Sequence, residues 1–205
     1  MSSRAFFATL VYEAALQRRG AAQFNRQLLR EIAILCRDDK AGRKWSSRSY
    51  PGGYTSYASL SRLQNISPSF AVLEPKLAPH VAAYVKALGL DLDGRTLAMT
   101  DCWVNVMPKG VSHGQHLHPM STLSGTYYVQ TPRTASGLKI EDPRLDRFMA
   151  APPRRDRQRG GAQAWVTLPA KAGCLIMFES WLRHEVPPNP SSAERVSISF
   201  NFNWF

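Results

Sequence analysis

The closing run RVSISFNFNWF alternates without interruption. Arg195, Ser197, Ser199, Asn201 and Asn203 fall on one parity, and Val196, Ile198, Phe200 and Phe202 on the other. Successive side chains of a β-strand point to opposite faces, so this run is a strand with one apolar and one polar face. The apolar face belongs to a core. The polar face either meets solvent or lines a pocket. From Arg95 onward the chain supplies neighbouring strands. TLAMTDCWVNVMP alternates, LSGTYYVQT is rich in β-formers, and GLKIEDPR gives a short strand ending at Pro143. AWVTLPAKAGCLIMF gives two pieces around a turn near Pro169 to Gly173, and ESWLRHEVPPNPSSAE a strand followed by a Pro-rich loop. Turn signals at Pro108-Lys109-Gly110 and from Pro132 to Gly137 separate these runs. Seven or eight strands are expected.

The first half reads differently. AFFATLVY, residues 5–12, suits a first strand or an entry segment packed on the core. In residues 20–40, Phe24, Leu28, Ile32 and Leu35 recur at helical spacing and predict a helix with a core-facing stripe. Residues 41–66 read as an ordered loop with a turn at Pro51-Gly52-Gly53. From Ser69 to Leu90, Phe70, Leu73, Leu77, Val81 and Val85 predict a second helix, which Pro75 and Pro79 break or delay. His80 on that helix reads as structural or exposed. Helices followed by strands give an α+β fold: a double-sheet jelly roll with the N-terminal helices packed on one sheet. One domain spans 1–205, with a helical part over about 1–94 and a β core over about 95–205.

The formal net charge of +11 raises the odds of an anionic partner, whether small molecule or nucleic acid, and says nothing of fold. Arg154, Arg155, Arg157 and Arg159 lie between Pro152-Pro153 and Gly160-Gly161, so they read as a solvated mobile loop, with an anion or nucleic-acid contact as the alternative. No apolar run reaches the roughly 18 residues of a membrane span. The start lacks a small-residue cleavage site and soon meets Glu13, so no signal peptide is expected. Cys36, Cys102 and Cys174 are odd in number and widely spaced, which fits reduced thiols in the cytoplasm.

Three of the five histidines fall in HGQHLHP, His113 to Pro119. In a strand His116 and His118 point the same way, with Cα atoms roughly 6.6 Å apart. Two imidazoles at that spacing can share a metal at bond lengths of about 2.0–2.1 Å, and a third ligand must come from another strand. His184 is the natural candidate. The alternative is a set of ordinary surface histidines. His113 is poorly spaced for shared ligation and reads as a supporting or surface residue.

Taken in order, WVNVMPKG, HLHP, STLSGTYYV, SGLKIEDPR, AGCLIMFESWLRHEV and ERVSISFN resemble the Fe(II)- and 2-oxoglutarate-dependent oxygenases, in particular a bacterial group of that superfamily. The resemblance covers about 103–203, and more weakly the GGYTSYASL stretch. It implies a double-stranded β-helix (a cupin-like jelly roll) that binds iron(II) and 2-oxoglutarate and uses molecular oxygen to hydroxylate a substrate the sequence does not name. By position, His116 and His184 take the two histidine places of the superfamily's iron site. His118 stands where a carboxylate is usual, and Asp142 and Glu179 are the only other carboxylates to weigh. Arg195 and Ser197 match the R-x-S element that holds the far carboxylate of 2-oxoglutarate, and guanidinium chemistry suits that role. Asn105 and Tyr127 are further cosubstrate candidates. Tyr127 and Tyr128 face opposite sides of their strand, so at most one reaches the pocket, and packing of both rings is the alternative. Trp181 reads as core. Two other readings stay open: a three-His cupin-like iron dioxygenase that does not use 2-oxoglutarate, and a non-catalytic metal- or nucleic-acid-binding jelly roll. A homodimer is the default assembly.

Overall fold

The computed structural model describes residues 4, 6–144, 149–150, 152 and 163–204. The Arg154–Arg159 loop lies outside these residues. The described chain runs β1 (Tyr12–Ala15), α1 (Ala21–Asp38), α2 (Lys40–Ser49), β2 (Tyr54–Thr55), a 3-10 turn (Leu63–Asn65), α3 (Pro68–Leu88), β3 (Leu97–Met107), β4 (His113–His116), β5 (Leu123–Gln130), β6 (Leu138–Glu141), β7 (Trp165–Leu168), β8 (Cys174–Glu179), β9 (His184–Val186) and β10 (Arg195–Trp204).

The strands form two antiparallel sheets. One has six strands in the order β1-β8-β5-β10-β3-β2, and the other four in the order β4-β9-β6-β7. This mixture of helices and antiparallel sheets is consistent with a jelly roll. The alternation of β10 sorts its side chains as the sequence requires. Val196, Ile198, Phe200 and Phe202 join Val104 of β3, Tyr127 of β5 and Met177 of β8 in one buried cluster, with Phe24, Leu28 and Ile32 of α1 and Leu73 and Leu77 of α3. A second cluster lies between the sheets: Met107, Tyr128, Ile176 and Phe178 meet Leu138, Ile140 and Val186. The polar parity of β10 faces this second side, so it is buried without being apolar.

Four local expectations need correction. Trp181, expected in the core, is 47% exposed. The first strand is Tyr12–Ala15, paired with β8, and not residues 5–12. Phe6 and Phe7 stay 67% and 88% exposed, so the apolar run ahead of β1 does not pack as a strand. Residues 41–66 are not a plain loop. α2 begins where the Asp39 carboxylate accepts from Gly42 N–H at 2.8 Å, and β2 then pairs Tyr54 and Thr55 with Val106 and Asn105 of β3. Finally, α3 runs unbroken through Pro75 and Pro79. Both prolines sit on its exposed face, as does Ala71, so the carbonyls they leave unbonded, on Ala71 and Pro75, face water. The opposite face, Phe70, Leu73, Leu77, Val81 and Tyr84, is buried and holds the helix in place. Among the described residues no helix is long and apolar enough to cross a membrane.

Candidate functional site

The two sheets bring the three predicted histidines together. β4 and β9 pair with His116 directly opposite His184. His118 lies two residues beyond the end of β4, where its backbone N–H donates to Ser180 O at 3.0 Å. One ligand nitrogen from each of His116, His118 and His184 lies within 4.8 Å of the others. A metal bound at about 2.0–2.1 Å per bond would draw these nitrogens closer together.

Hydrogen bonds fix which nitrogen of each ring is free. His116 Nδ1 donates to Gly114 O at 2.7 Å, and His184 Nδ1 to Leu182 O at 2.9 Å. His118 Nδ1 meets Asn201 Oδ1 at 2.8 Å and Ser124 Oγ at 2.9 Å. An imidazole whose Nδ1–H is donated keeps the Nε2 lone pair for a metal, and such outer bonds are the usual support of ligating histidines. Asn201 is itself held from behind, since its Nδ2 donates to Asp101 Oδ2 at 3.3 Å. The rings are kept neutral. Burial holds His184 down to about 3 and His118 to about 4, with neighbouring His116 adding to the effect in both. His116 is lowered by burial too. Neutral imidazole is the form that ligates.

His113 is not in the triad. It stacks on His116 with centroids 4.4 Å apart and packs against Tyr50 at 5.4 Å. The weighed carboxylates are elsewhere. Asp142 pairs with Arg144 at 3.1 Å and lines a different surface pocket with Phe6 and Val166. Glu179 ends β8 outside the cavity lining. Among the described residues the one cluster of metal-ligating side chains is the histidine triad.

A partly open cavity of about 30 Å³ adjoins the triad and is lined by Arg195, Ser197, Asn105 and Ser199. Register explains the grouping. Ser197 of β10 sits opposite Asn105 of β3 on one side and Tyr128 of β5 on the other, and cross-strand partners share a face. Arg195 is only 2% exposed. Its guanidinium donates to Ser136 O at 3.1 Å, to Ser197 Oγ at 3.2 Å and toward Met107 Sδ at 3.3 Å, and it lies 5.0 Å from the Tyr128 ring centre. Among the described residues no carboxylate pairs with it. A buried cation normally has such a partner.

Asn105 of the cavity lining has a buried Oδ1 without a partner, and two further unpartnered atoms are Tyr128 Oη, whose ring lies against Arg195, and Tyr50 Oη, which borders the outer groove. The Arg195 charge acts on both tyrosines against the larger effect of burial, which raises their pKa values. Asn105 Nδ2 donates to Ser199 Oγ at 3.0 Å. Turned over, the amide would accept from the same hydroxyl and present its NH₂ to the cavity.

Tyr127 does not line this cavity. It is on the opposite face of β5, in the cluster shared with the helices, and its hydroxyl is bound to Asn25 Oδ1. Tyr128 is the tyrosine on the cavity side. Sequence reasoning also passed over Tyr50, Trp103 and Asp101. Asn201 was detectable, since it shares the parity of Arg195. A wider groove of about 500 Å³, open to solvent, lies outside the triad and shares Trp103, His113, His116 and His118 with the inner cavity.

Comparisons with known proteins point to a family and a fold. Residues 101–201 match the family model described as "Putative 2OG-Fe(II) oxygenase". No curated protein sequence matches the chain. Among solved structures, a Pseudomonas putida prolyl-4-hydroxylase aligns over 96% of this chain and 94% of its own, at 17% identity and a TM-score of 0.60. HygX from Streptomyces hygroscopicus, solved with nickel, 2-oxoglutarate and hygromycin B bound, aligns over 96% and 83%, at 13% identity and a TM-score of 0.59. A 2OG-Fe(II) oxygenase family oxidoreductase from Burkholderia pseudomallei aligns over 67% of this chain at 15% identity and a TM-score of 0.50, and the match spans 57% of that protein. At these identities the structural likenesses speak for the fold.

Proposed function

The chain belongs to the 2OG-Fe(II) oxygenase family, and from that premise we propose that it is an Fe(II)- and 2-oxoglutarate-dependent oxygenase that hydroxylates a small-molecule substrate. His116, His118 and His184 would hold the iron. Arg195 and Ser197 would take the far carboxylate of 2-oxoglutarate, with the Tyr50 and Tyr128 hydroxyls and the Asn105 amide as further donors. Bound together, iron and 2-oxoglutarate supply the oxidising chemistry, in which decarboxylation of the cosubstrate drives oxidation of a substrate C–H bond. The protein's part is to orient and to shield.

One observation carries the cosubstrate assignment: Arg195 is a buried cation with no anionic partner among the described residues. A dicarboxylate that reaches from the triad to Arg195 would supply the missing charge, and a guanidinium binds a carboxylate through paired donors. The unpartnered hydroxyls of Tyr50 and Tyr128 beside it lack an acceptor, which a carboxylate provides. The donor set suits iron(II), because three neutral imidazoles with supported Nδ1 atoms leave positions open for other ligands.

The finer architecture follows the same reading. We take the chain as a single domain, a double-stranded β-helix backed by helices on the six-stranded sheet. The hydrogen bonding of β1 and β2 into that sheet supports it. Three free cysteines favour a reducing cytoplasm.

The presence of His118 where a carboxylate is usual favours a second reading, a three-His iron dioxygenase that does not use 2-oxoglutarate. An anaerobic titration separates the two. Iron(II) followed by 2-oxoglutarate gives a visible iron-to-keto-acid charge-transfer band in the wild type and none in His118→Ala or Arg195→Ala. Iron binding without the band in the wild type would move the assignment to the second reading.

A further inference from the structure

The groove outside the triad has a composition that the rest of the chain does not lead one to expect. Its lining is Trp45, Ser49, Tyr50, Pro51, Thr55, Tyr57, Trp103 and Ser112, followed by residues 113, 114 and 116–119 around the histidines, and Asn201. None of these is Asp, Glu, Lys or Arg, in a chain that is 20% charged and carries a net charge of +11. The lining thus offers no acidic side chain and no Lys or Arg, on a strongly basic protein.

The groove is also built from ring faces. Trp45 and Tyr57 remain 38% and 53% exposed, and Tyr57 stands edge-on to Trp103 with centroids 5.1 Å apart. Trp103 in turn lies 5.6 Å from the His118 ring, so the aromatic surface runs without a gap to the metal ligands. Trp45 comes from α2, whose buried residues are only Gly42 and Ser46. The core does not need an exposed indole there. Large aromatic side chains left open to solvent around a concave site mark a surface that binds something.

We propose, on the footing that the triad is the oxygenase centre, that this groove selects an uncharged substrate carrying a flat ring, stacked between Trp45 and Tyr57 and directed by Trp103 toward the histidines. A charged group placed here would lose its hydration and find no side chain of opposite sign along the wall, a cost that aromatic contact does not offset for an anion. Arg195 cannot serve it, because it lies behind the triad and is taken by the cosubstrate. The hydroxyls of Ser49, Thr55 and Ser112 can bond neutral oxygen or nitrogen substituents of the ring. The net charge of the whole protein would attract anions to its surface, but the groove itself gives them no site.

Three probes with one ring and different charge test this: benzyl alcohol, benzoate and benzylammonium. Each is titrated anaerobically into the protein loaded with iron(II) and saturating 2-oxoglutarate, so that Arg195 is occupied, and binding is read from tryptophan fluorescence. Benzyl alcohol is expected to bind about tenfold more tightly than either charged probe, and Trp45→Ala and Tyr57→Ala each to weaken it by about tenfold. Both residues are exposed and lie outside the iron and cosubstrate positions, so the charge-transfer band survives in both variants. Tightest binding of benzoate, or of benzylammonium, overturns the proposal in favour of an anionic or a cationic substrate. Unchanged affinity in both variants overturns it as well. Absence of the band in the wild type would instead remove the 2-oxoglutarate reading beneath it.

Discussion

Arg195→Met separates a binding role from a structural one, because the two predict opposite changes in stability. In the wild type the guanidinium is 2% exposed and bound only to Ser136 O, Ser197 Oγ, Met107 Sδ and the Tyr128 ring. None of these neutralises its charge. A buried ion without a counter-ion is a burden on the fold, and replacing it with an apolar side chain of similar length is commonly neutral or stabilising. Methionine fills most of the same channel beside Met107 and Tyr128. The metal-free variant is therefore expected to unfold in urea within about 1 kcal/mol of the wild type, or above it. Cosubstrate binding moves the other way. Removing one partner of a buried charge pair costs about 3–5 kcal/mol, and 1.4 kcal/mol is tenfold in affinity, so 2-oxoglutarate should bind the iron-loaded variant roughly 10²- to 10³-fold more weakly. The assay is the charge-transfer titration, paired with urea unfolding of the metal-free protein. A variant that loses several kcal/mol of stability, or that keeps 2-oxoglutarate affinity within tenfold, refutes the argument: Arg195 would then be a structural residue.

Other expectations follow from the same geometry. Tyr127→Phe should leave the charge-transfer band unchanged and lower stability by about 1–3 kcal/mol, since it strips the hydroxyl from the buried Asn25 Oδ1; a weakened band would return Tyr127 to the site. His184→Ala should reduce iron(II) affinity by more than about 100-fold, measured by competition with a chelator, because it removes a ligand outright where loss of a supporting residue alone costs 10- to 100-fold. The metal-free protein should lose stability in acid. His113 and His184 are held to about 3 and His118 to about 4 in the fold, while an unfolded histidine protonates near 6.5. The unfolded chain thus binds more protons between these values, so stability is full above about pH 6.5 and falls as the pH drops toward 4. Urea midpoints that stay level over that window would show that the rings are not held neutral by burial.

Parity was the most legible feature of the sequence, and register the least. The alternation of β10 separates Arg195, Ser197 and Asn201 from Val196, Ile198 and Phe200 with no structural input. It does not say which neighbouring side chains share the polar face. That depends on pairing, which sets Ser197 opposite Tyr128 and not Tyr127. The assignment of Tyr127 to the cosubstrate failed at this step. The histidine triad was legible because His116 and His118 are close in sequence and His184 was the remaining histidine in the β half. The contribution of α2 was not legible, because KAGRKWSSRS has no apolar stripe. The helix is positioned by the Asp39 cap and by Ser46, which accepts from Thr55 N–H. Its Trp45 therefore looked like one more loop residue. Pro75 and Pro79 misled in the other direction, since spacing alone does not reveal that both fall on the wet side of α3.

The three-His centre raises a question of charge. An iron(II) ion with doubly ionised 2-oxoglutarate and Arg195 sums to +1 formally, whereas a ligand carboxylate in the place of His118 would bring the sum to zero. Asp101 stands where it can restore the balance. Its Oδ2 accepts from Asn201 Nδ2 at 3.3 Å, and Asn201 Oδ1 takes the His118 Nδ1–H at 2.8 Å. The carboxylate thus acts on the ligand through one amide. Asp101→Asn tests charge apart from shape, because its side-chain oxygen can still accept from Asn201. Iron(II) affinity should fall about tenfold, the low end for loss of a supporting group, because Ser124 Oγ at 2.9 Å still holds the His118 ring. His118→Asp supplies a carboxylate directly to the metal, so adding Asp101→Asn to it should cost much less than in the wild type. The coupling between the two substitutions is the quantity to measure. Equal losses in both backgrounds would mean that Asp101 only braces Asn201, and an unchanged affinity in the single variant would mean that its charge does not reach the iron.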